Sequence, residues 1–161
     1  MAFDVDGVLT DGTLFLGAGG EETKAFNSLD GHGMKMLREN GVAIAIITGR
    51  TSASVALRAR ELGIVHLYQG VHDKLEACDD LLGKTRLTHE QMGYMGDDLP
   101  DLALLGLCGF AATVPEAPDA VRRAAHYVSS CGAGRGAARE VCDFILAAQG
   151  KLAAATAAYS R

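Results

Sequence analysis

The chain has 161 residues, a formal net charge of −5 at pH 7, a hydrophobic fraction of 48% and a charged fraction of 22%. This length is typical of one domain with a sizeable core, and the composition excludes a disordered or collagen-like chain. Because the acidic charge offers no basic surface to a phosphate backbone, we expect no nucleic-acid partner.

Short apolar runs alternate with loops and helical stretches along the chain, an order typical of a parallel sheet with crossover helices. We predict an α/β fold: a Rossmann-like parallel sheet with helices on both faces and no cap domain. Residues 42–47 are almost all apolar, which favours a strand buried on both faces. The predicted strands are residues 1–5, 42–47, 65–68, 93–95, 109–112 and 126–128. The predicted helices are residues 31–40, 51–62, 73–82 and 136–149, and residues 51–62 begin at a hydroxyl cap.

Two segments depart from this alternation. Residues 13–26 combine apolar residues with a glycine-rich turn and a second extended stretch, which predicts a β-hairpin. The alanine-rich residues 152–161 fit either an extension of the last helix or a mobile tail. No linker is evident, so we expect residues 1–161 to form one domain, with residues 130–161 as its C-terminal helix and tail.

The apolar pattern and the cysteines indicate the compartment. The longest apolar run is far shorter than the roughly 20 residues that cross a bilayer, and nothing resembles a signal segment. The four cysteines are irregularly spaced without a Cys-x-x-Cys pair, so they indicate reduced thiols rather than a zinc or redox motif. We therefore expect a cytoplasmic protein without a membrane partner.

Two carboxylates end the first apolar run. Asp4 and Asp6 alternate around Val5 and so point to the same side of the chain. Two like charges so close are costly unless a cation or a shared proton compensates them, and a hard dication is the simplest compensation. An ordinary turn at Asp6-Gly7 is the alternative interpretation.

A second acidic cluster, Asp97, Asp98 and Asp101, follows the strand at residues 93–95. In open α/β sheets the carboxyl ends of the strands form the ligand-binding edge, so two acidic strand ends can converge on one ion. We expect Asp97 to bind the metal. Asp98 and Asp101 also fit as caps of a helix that begins near Leu99, and Asp101 equally fits loop support.

Polar residues follow another strand as well. The Thr48-Gly49-Arg50 segment comes directly after residues 42–47, where a hydroxyl and backbone N–H groups can hold phosphate oxygens. An ordinary hydroxyl-capped helix start explains the same residues. Lys74 adds a cation, although Asp73-Lys74 at a helix start also fits an exposed surface pair.

Taken in order, these motifs resemble a known superfamily. Asp4-x-Asp6-Gly7, Thr48, Lys74 and Gly96-Asp97-Asp98-x-x-Asp101 resemble the four motifs of the haloacid dehalogenase superfamily of phosphohydrolases. Three segments resemble, more narrowly, the family of 3-deoxy-D-manno-octulosonate 8-phosphate phosphatases: residues 4–12, 26–33 and 134–143. This extends the resemblance to nearly the whole chain, with Ala133 as a departure where the family has glycine.

The resemblance implies a phosphatase of lipopolysaccharide precursor synthesis that acts on a small phosphorylated sugar acid through an aspartyl-phosphate. Asp4 would be the nucleophile and Asp6 the general acid and base. Thr48-Gly49-Arg50 and Lys74 would bind the phosphate and substrate, with Arg50 toward the sugar acid.

The resemblance also implies Mg²⁺ as the cofactor. Its protein ligands would be the carboxylates of Asp4 and Asp97 and the backbone carbonyl of Asp6. Asp98 and Asp101 would hold these ligands in place without being direct carboxylate ligands of the ion.

The segments between the motifs leave little room for a lid, so the site of a lone subunit should be open. We expect neighbouring subunits to form the sides of this site with hairpin 13–26 and the residues beyond Ser130. The resemblance implies a homotetramer whose active sites are completed in this way. Arg135 and Arg139 are candidates for reaching a neighbour's substrate, whereas an ion pair of Arg139 with Asp143 is the alternative.

Three other functions are alternatives to this one. A phosphatase for a nonulosonate 9-phosphate would keep the catalytic residues and differ in its pocket walls. A non-catalytic sugar-phosphate-binding or assembly module would lose a catalytic acid, so the joint presence of Asp4, Asp6, Lys74 and Asp97 argues against it. A dinucleotide-binding domain needs a glycine-rich loop after the first strand, where this chain is acidic.

Overall fold

The fold centres on a parallel sheet of six strands in this computed structural model, which describes residues 1–160. The strands are β1 (Ala2–Phe3), β4 (Ala45–Ile47), β5 (His66–Tyr68), β6 (Gly93–Met95), β7 (Phe110–Thr113) and β8 (Tyr127–Val128). Their order is β5-β4-β1-β6-β7-β8, and all neighbours are parallel. The antiparallel pair β2 (Phe15–Leu16) and β3 (Glu22–Thr23) forms the predicted hairpin.

Seven α-helices accompany the strands within the described residues. They are α1 (Ser28–Glu39), α2 (Ala53–Glu61), α3 (Lys74–Thr85), α4 (Leu102–Leu107), α5 (Asp119–Ala124), α6 (Ala137–Ala148) and α7 (Leu152–Ala157). Crossovers between parallel strands are almost always right-handed. The chain runs from β1 outward to β5 and then back across to β8, so α1 and α2 cover one face and α3, α4 and α5 the other.

The helix contacts agree with this two-sided arrangement. α1 packs against α6, whereas α4 contacts both α3 and α5. The predicted α/β sheet with a hairpin insertion and no cap domain is therefore confirmed for residues 1–160. In that part of the chain, every helix is too short or too polar to span a membrane.

Several helix predictions need correction. α2 begins after Ser52 rather than at a Thr51 cap, and the Ser52 side chain makes no capping hydrogen bond. The helix expected to begin near Leu99 is present as the 3₁₀ turn Leu99–Asp101, which continues into α4, whereas α5 was not predicted. Residues 152–157 form a separate helix, because Gly150 takes a left-handed φ of 68° and interrupts the path from α6. Arg161, the end of the predicted tail, lies outside the described residues.

The core surrounds the central strands. Ile46 and Ile47 in β4 are buried, as the apolar run predicts, and so are Phe3 in β1 and Tyr94 and Met95 in β6. Each predicted strand is present, with bounds that differ by a few residues. Because β1, β4 and β6 are parallel neighbours, the residues that follow them lie at one edge of the sheet.

Candidate active site

A cleft of about 340 Å³ opens at this carboxyl edge. All nine residues that the sequence proposed for the site line it, and the structure therefore brings the four motifs together: Asp4, Asp6, Thr48, Gly49, Arg50, Lys74, Asp97, Asp98 and Asp101. His72 lines the cleft too. A larger groove of about 520 Å³ near Met1 lies elsewhere, and its only titratable side chain among the described residues is Glu90.

Asp4 lies directly after β1 and is largely buried. Its backbone N–H donates to the Met95 carbonyl at 2.9 Å, which extends the pairing of β1 with β6. Oδ1 accepts from the Val5 N–H at 2.7 Å, and Oδ2 lies 2.7 Å from the Lys74 ammonium. Burial raises the pKa of Asp4, while Lys74 acts against this rise.

Lys74 is a buried residue, so its alternative interpretation as an exposed surface pair is wrong. Its side chain is only 8% exposed, because α3 begins at the cleft and directs Lys74 inward. Nζ lies 2.6 Å from Asp101 Oδ1 and 3.3 Å from the Tyr94 hydroxyl. Burial lowers the pKa of Lys74, but Asp4 and Asp101 outweigh that effect and raise it overall. Lys74 therefore stays cationic.

Asp101 supports the loop that carries Asp97 and Asp98. Oδ2 accepts from the backbone N–H groups of both residues, at 3.0 and 3.1 Å. Oδ1 accepts from Lys74 and, at 2.6 Å, from the Tyr94 hydroxyl. With four donors on one buried carboxylate, Asp101 supports the loop and also completes the capping box of the short 3₁₀ helix Leu99–Asp101, whose N-cap is Asp98.

Tyr94 is a site-supporting residue that the sequence analysis missed. It lies in β6, where the sequence pattern predicts a buried core residue, so nothing in the local sequence distinguishes it from its neighbours. Its hydroxyl links Lys74 to Asp101, which ties the start of α3 to the loop after β6.

Asp97 completes a cluster of carboxylates. Atoms of Asp4, Asp97 and Asp101, one oxygen from each, lie within 4.8 Å of one another. Burial and the charges of Asp4 and Asp101 raise the pKa of Asp97 to about 7. Such a cluster is costly without a cation. Asp101 is already fully hydrogen-bonded, so the carboxylates of Asp4 and Asp97 are the ones that fit a hard dication.

Glycine at position 7 is required beside Asp97. Gly7 has a φ of 86°, and a Cβ there would lie 2.0 Å from Asp97 Oδ2. The carboxylate can approach the loop after β1 only because position 7 lacks a side chain. The Asp6 carboxylate lies outside the three-residue cluster, and the predicted metal contact of Asp6 used its backbone carbonyl instead.

The base of the hairpin contributes charged residues that the sequence analysis missed. Lys24, whose side chain is 1% exposed, pairs with Asp6 Oδ1 and lies 3.2 Å from Glu22 Oε1. Glu22 Oε2 accepts from Arg50 at 2.6 Å, and this contact lowers the pKa of Glu22 to about 2. The available signal was the strand alternation, which places Glu22 and Lys24 on one face.

Thr48 and Gly49 continue β4 into the cleft. The Thr48 N–H donates to the Tyr68 carbonyl at 2.9 Å, and its own carbonyl accepts from Val71 at 3.2 Å. Thr48 is buried between these two segments, whereas Gly49 is exposed. The backbone after β4 is thus anchored on both sides before it reaches the cleft.

The two remaining segments of the resemblance contact each other. Asp30 in α1 accepts from the Arg139 N–H at 2.8 Å and from the Gly136 N–H at 3.4 Å, so it caps the start of α6. A Cβ on Gly33 would lie 3.0 Å from the Arg139 Cα. Arg139 also pairs with Asp143 at 2.8 Å, as its alternative interpretation stated.

Gly134 joins this unit to the loop after β1. Its N–H donates to the Val8 carbonyl at 2.9 Å, and a Cβ at this position would lie 2.6 Å from the Thr10 carbonyl carbon. Glycine is therefore needed for the close approach. Arg135, the next residue, is exposed beside the cleft loop and lies near Asp11.

Comparison with curated proteins supplies close relatives, although no family model matches the chain. The 3-deoxy-D-manno-octulosonate 8-phosphate phosphatase KdsC of Yersinia pestis is 48% identical over 153 residues, which cover 95% of this chain and 82% of the relative. The protein of that name from Escherichia coli K12 is 46% identical over 152 residues, 94% of this chain and 81% of the relative. The chain belongs to the 3-deoxy-D-manno-octulosonate 8-phosphate phosphatase family.

Solved structures of this family and its superfamily share the fold. The phosphatase of Moraxella catarrhalis, solved in complex with a magnesium ion, a phosphate ion and a KDO molecule, aligns with a TM-score of 0.96. It is 44% identical, and the match covers 98% of this chain and 91% of that one. A probable YrbI family phosphatase of Pseudomonas syringae aligns with a TM-score of 0.97 at 51% identity, over 99% of this chain and 91% of that one.

The predicted family and fold are thereby confirmed. A putative hydrolase of subfamily III A of the HAD superfamily, from Legionella pneumophila, also aligns, with a TM-score of 0.94 at 42% identity over 98% of this chain and 87% of that one. The roles of individual residues in this member of the phosphatase family stay predictions.

Proposed function

We propose that the chain hydrolyses 3-deoxy-D-manno-octulosonate 8-phosphate to the free sugar acid and phosphate, as a magnesium-dependent step of lipopolysaccharide precursor synthesis. The observation that carries this proposal is the convergence of Asp4, Lys74 and Asp97 at one cleft. Family membership, at 48% identity to a phosphatase of this name, supports the choice of substrate.

Asp4 is the proposed nucleophile. Its carboxylate attacks phosphorus in line with the bond to the sugar oxygen, so that the Asp4–phosphorus bond forms as the phosphorus–oxygen bond breaks. Asp6 donates a proton to the leaving sugar oxygen. Asp6 then takes a proton from the water that attacks the aspartyl-phosphate, which releases phosphate and restores the Asp4 carboxylate.

Lys74 and Thr48 hold the phosphate oxygens during both steps. Lys74 is suited to this because Asp4 and Asp101 keep it charged and fix its position. Its ammonium also reduces the repulsion between the Asp4 carboxylate and the phosphate. Gly49 and Arg50 line the same cleft, and Arg50 is the residue proposed to face the sugar acid.

We propose Mg²⁺ as the cofactor, held by the Asp4 and Asp97 carboxylates and the Asp6 backbone carbonyl. An all-oxygen set of this kind suits a hard cation. When bound, the ion supplies charge neutralisation between the nucleophile and the phosphate. Asp98 and Asp101 support the ligands, Asp101 through its hydrogen bonds to the loop.

Magnesium-dependent phosphate release across a panel of esters tests the substrate. The panel contains 3-deoxy-D-manno-octulosonate 8-phosphate, nonulosonate 9-phosphates and simple hexose phosphates. We expect the highest kcat/KM for the first ester. A higher value for a nonulosonate ester assigns that substrate instead, and a flat profile contradicts any narrow assignment while leaving the phosphatase chemistry standing.

The nucleophile is tested by Asp4→Asn, which keeps the shape of the side chain and removes the attacking carboxylate. We expect kcat to fall by at least about 10⁴-fold, as for loss of a covalent nucleophile. Asp80→Asn is the matched control, because Asp80 is exposed and its partners within the described part of the chain are Lys84 and Tyr68. Phosphate release that survives in Asp4→Asn would overturn the mechanism.

We also propose a homotetramer in which neighbouring subunits complete each active site. The hairpin supports this, because Leu14, Phe15 and Leu16 are three consecutive apolar residues with exposed side chains. The same chain, residues 1–161, is proposed to act as one hydrolase domain in the cytoplasm. One continuous core and four cysteines without disulfides, among the described residues, support both points.

A further inference from the structure

A buried ion network joins the hairpin to the cleft. Lys24, on the hairpin side, extends its ammonium between Asp6 Oδ1 and Glu22 Oε1, while Glu22 also binds Arg50. The Lys24 side chain is only 1% exposed. A buried ammonium is costly unless it is paired, so this arrangement commits Lys24 to its two carboxylates.

The two oxygens of Asp6 differ in their surroundings. Oδ1 accepts from Lys24, whereas Oδ2 is buried and makes no hydrogen bond with any of residues 1–160. Arg50 Nε is 3.9 Å from Oδ2, which is beyond hydrogen-bond distance. Asp6 therefore has one oxygen held by a cation and one left for a partner in the cleft.

An ammonium group donates hydrogen bonds and accepts none. The oxygen that faces Lys24 therefore has to accept, and in the protonated carboxyl group the proton lies on Oδ2. Oδ2 is the oxygen that accepts no hydrogen bond from residues 1–160, so the proton lies on the atom that no protein donor occupies.

We propose that Lys24 is a positioning residue for Asp6, which determines the oxygen that exchanges protons with the substrate. The inference rests on the proposed function. As the bond from phosphorus to the leaving oxygen breaks, the Oδ2 proton moves to that oxygen, and Oδ2 later takes a proton from the attacking water. Lys24 keeps its own protons throughout and touches no reacting atom.

The hairpin backbone fixes the position of Lys24. Glu22 and Lys24 alternate around Thr23, so both side chains lie on the same face of the extended segment. Glu22 is held in turn by Arg50, which follows β4. The hairpin thus acts on the chemistry through Asp6.

The test compares two leaving groups, because a proton donor matters only when the leaving group is poor. One substrate is 3-deoxy-D-manno-octulosonate 8-phosphate, whose leaving group is an alkoxide. The other is p-nitrophenyl phosphate, whose phenolate leaves without protonation. The measured quantity is kcat/KM, since it reports the first chemical step and excludes hydrolysis of the aspartyl-phosphate.

We expect Lys24→Met to lower kcat/KM for the sugar ester by about 10²-fold, the size of a general-acid contribution, and for the aryl ester by less than about fivefold. Lys24→Arg keeps a donor cation and should restore at least about tenfold for the sugar ester. Lys35→Met is the matched control, because Lys35 is half exposed and, among residues 1–160, pairs only with Glu39. It should leave both values unchanged.

The ratio of the two values is taken on one preparation, so a fraction of unfolded protein cancels. Equal losses for the two esters in Lys24→Met would show that Lys24 only attaches the hairpin, and the inference would be overturned. The same holds if Lys24→Arg shows no rescue. A wild-type protein that hydrolyses neither ester would instead overturn the proposed function, and the role of Lys24 with it.

Discussion

Three carboxylates and one ammonium meet in the cleft, and their partners differ. Asp101 accepts four hydrogen bonds, and Lys74 pairs with both Asp4 and Asp101. Asp97 receives no comparable compensation, and burial with its acidic neighbours raises its pKa to about 7. The charge of Asp97 is therefore the one that destabilises the metal-free protein.

Replacing this charge should stabilise the metal-free protein. A raised carboxyl pKa means that the folded state holds the proton more tightly than the unfolded state, so the stability is present at low pH and is lost as pH rises toward 7. In EDTA at pH 8, we expect Asp97→Asn to raise Tm by about 2–4 °C, the shift that roughly 1 kcal/mol produces at this length. At pH 5 the increase should be smaller.

Differential scanning calorimetry at both pH values measures this effect. Asp80→Asn is the control, because Asp80 is exposed and lies outside the carboxylate cluster, and its Tm should stay within about 1 °C of the wild type. With saturating Mg²⁺ the wild type should have a higher Tm than Asp97→Asn, since the variant loses a metal ligand. A lower Tm for Asp97→Asn in EDTA at pH 8 would contradict the interpretation.

Two acidic residues stabilise the start of α6. Asp30 in α1 caps it from outside, and Glu140 in its first turn reaches back to the preceding loop. Glu140 accepts from the N–H groups of Ser130 and Cys131, each at 2.9 Å, and from the Tyr127 hydroxyl at 2.7 Å. Burial alone would raise the pKa of Glu140, but these hydrogen bonds lower it to about 2.

Glu140→Gln should weaken this clamp in a pH-dependent way. Since the folded pKa is depressed, the contribution is present above the unfolded value of about 4.5 and is lost as pH falls toward 2. At pH 6 we expect a loss of about 1 kcal/mol, a charged hydrogen-bond contribution reduced by solvent screening. Near pH 2 the difference from the wild type should vanish.

Urea unfolding at pH 6 and near pH 2 gives both free energies. Glu39→Gln serves as the matched control, because Glu39 is an exposed residue of α1 whose pairing with Lys35 contributes little. If the Glu140→Gln difference were the same at both pH values, charge on Glu140 would not be the source of the stabilisation.

At the scale of the whole molecule, the hairpin has exposed apolar side chains and also contributes a buried ion pair to the cleft. Phe15 is 51% exposed, whereas the Lys24 side chain is buried and pairs with Asp6. Exposed apolar side chains grouped in this way are typical of a protein interface. Assembly through the hairpin would therefore support the cleft on which catalysis is proposed to depend.

Phe15→Glu should dissociate the proposed tetramer, since a buried unpaired charge at an interface is strongly unfavourable. We expect sedimentation velocity to show smaller species and kcat/KM for the sugar ester to fall at least about tenfold. Leu57→Glu is the matched control, because Leu57 in α2 is also 51% exposed but lies off the hairpin. A wild-type monomer with full activity would contradict the proposed assembly.

Local patterns in the sequence were sufficient for the sheet and for the position of the cleft. An apolar run followed by an acid or a hydroxyl marks the end of a strand, as at Asp4, Thr48 and Asp97. In a parallel sheet those ends lie at one edge. The strand order, which places β4, β1 and β6 side by side, brings the three residues into one cleft. The short helix α5 was missed because its six residues are too few for a clear helical period.

The sequence by itself determined the fold class, the family and the set of residues at the cleft, because strand patterning and strand-end chemistry are local properties. Only the tertiary structure decided how those residues are paired. Asp101 pairs with Lys74, which lies 27 residues away, and Asp6 pairs with Lys24, which lies 18 residues away. Contacts between residues so far apart in the chain depend on the register of the hairpin and the placement of α3, which no local pattern records.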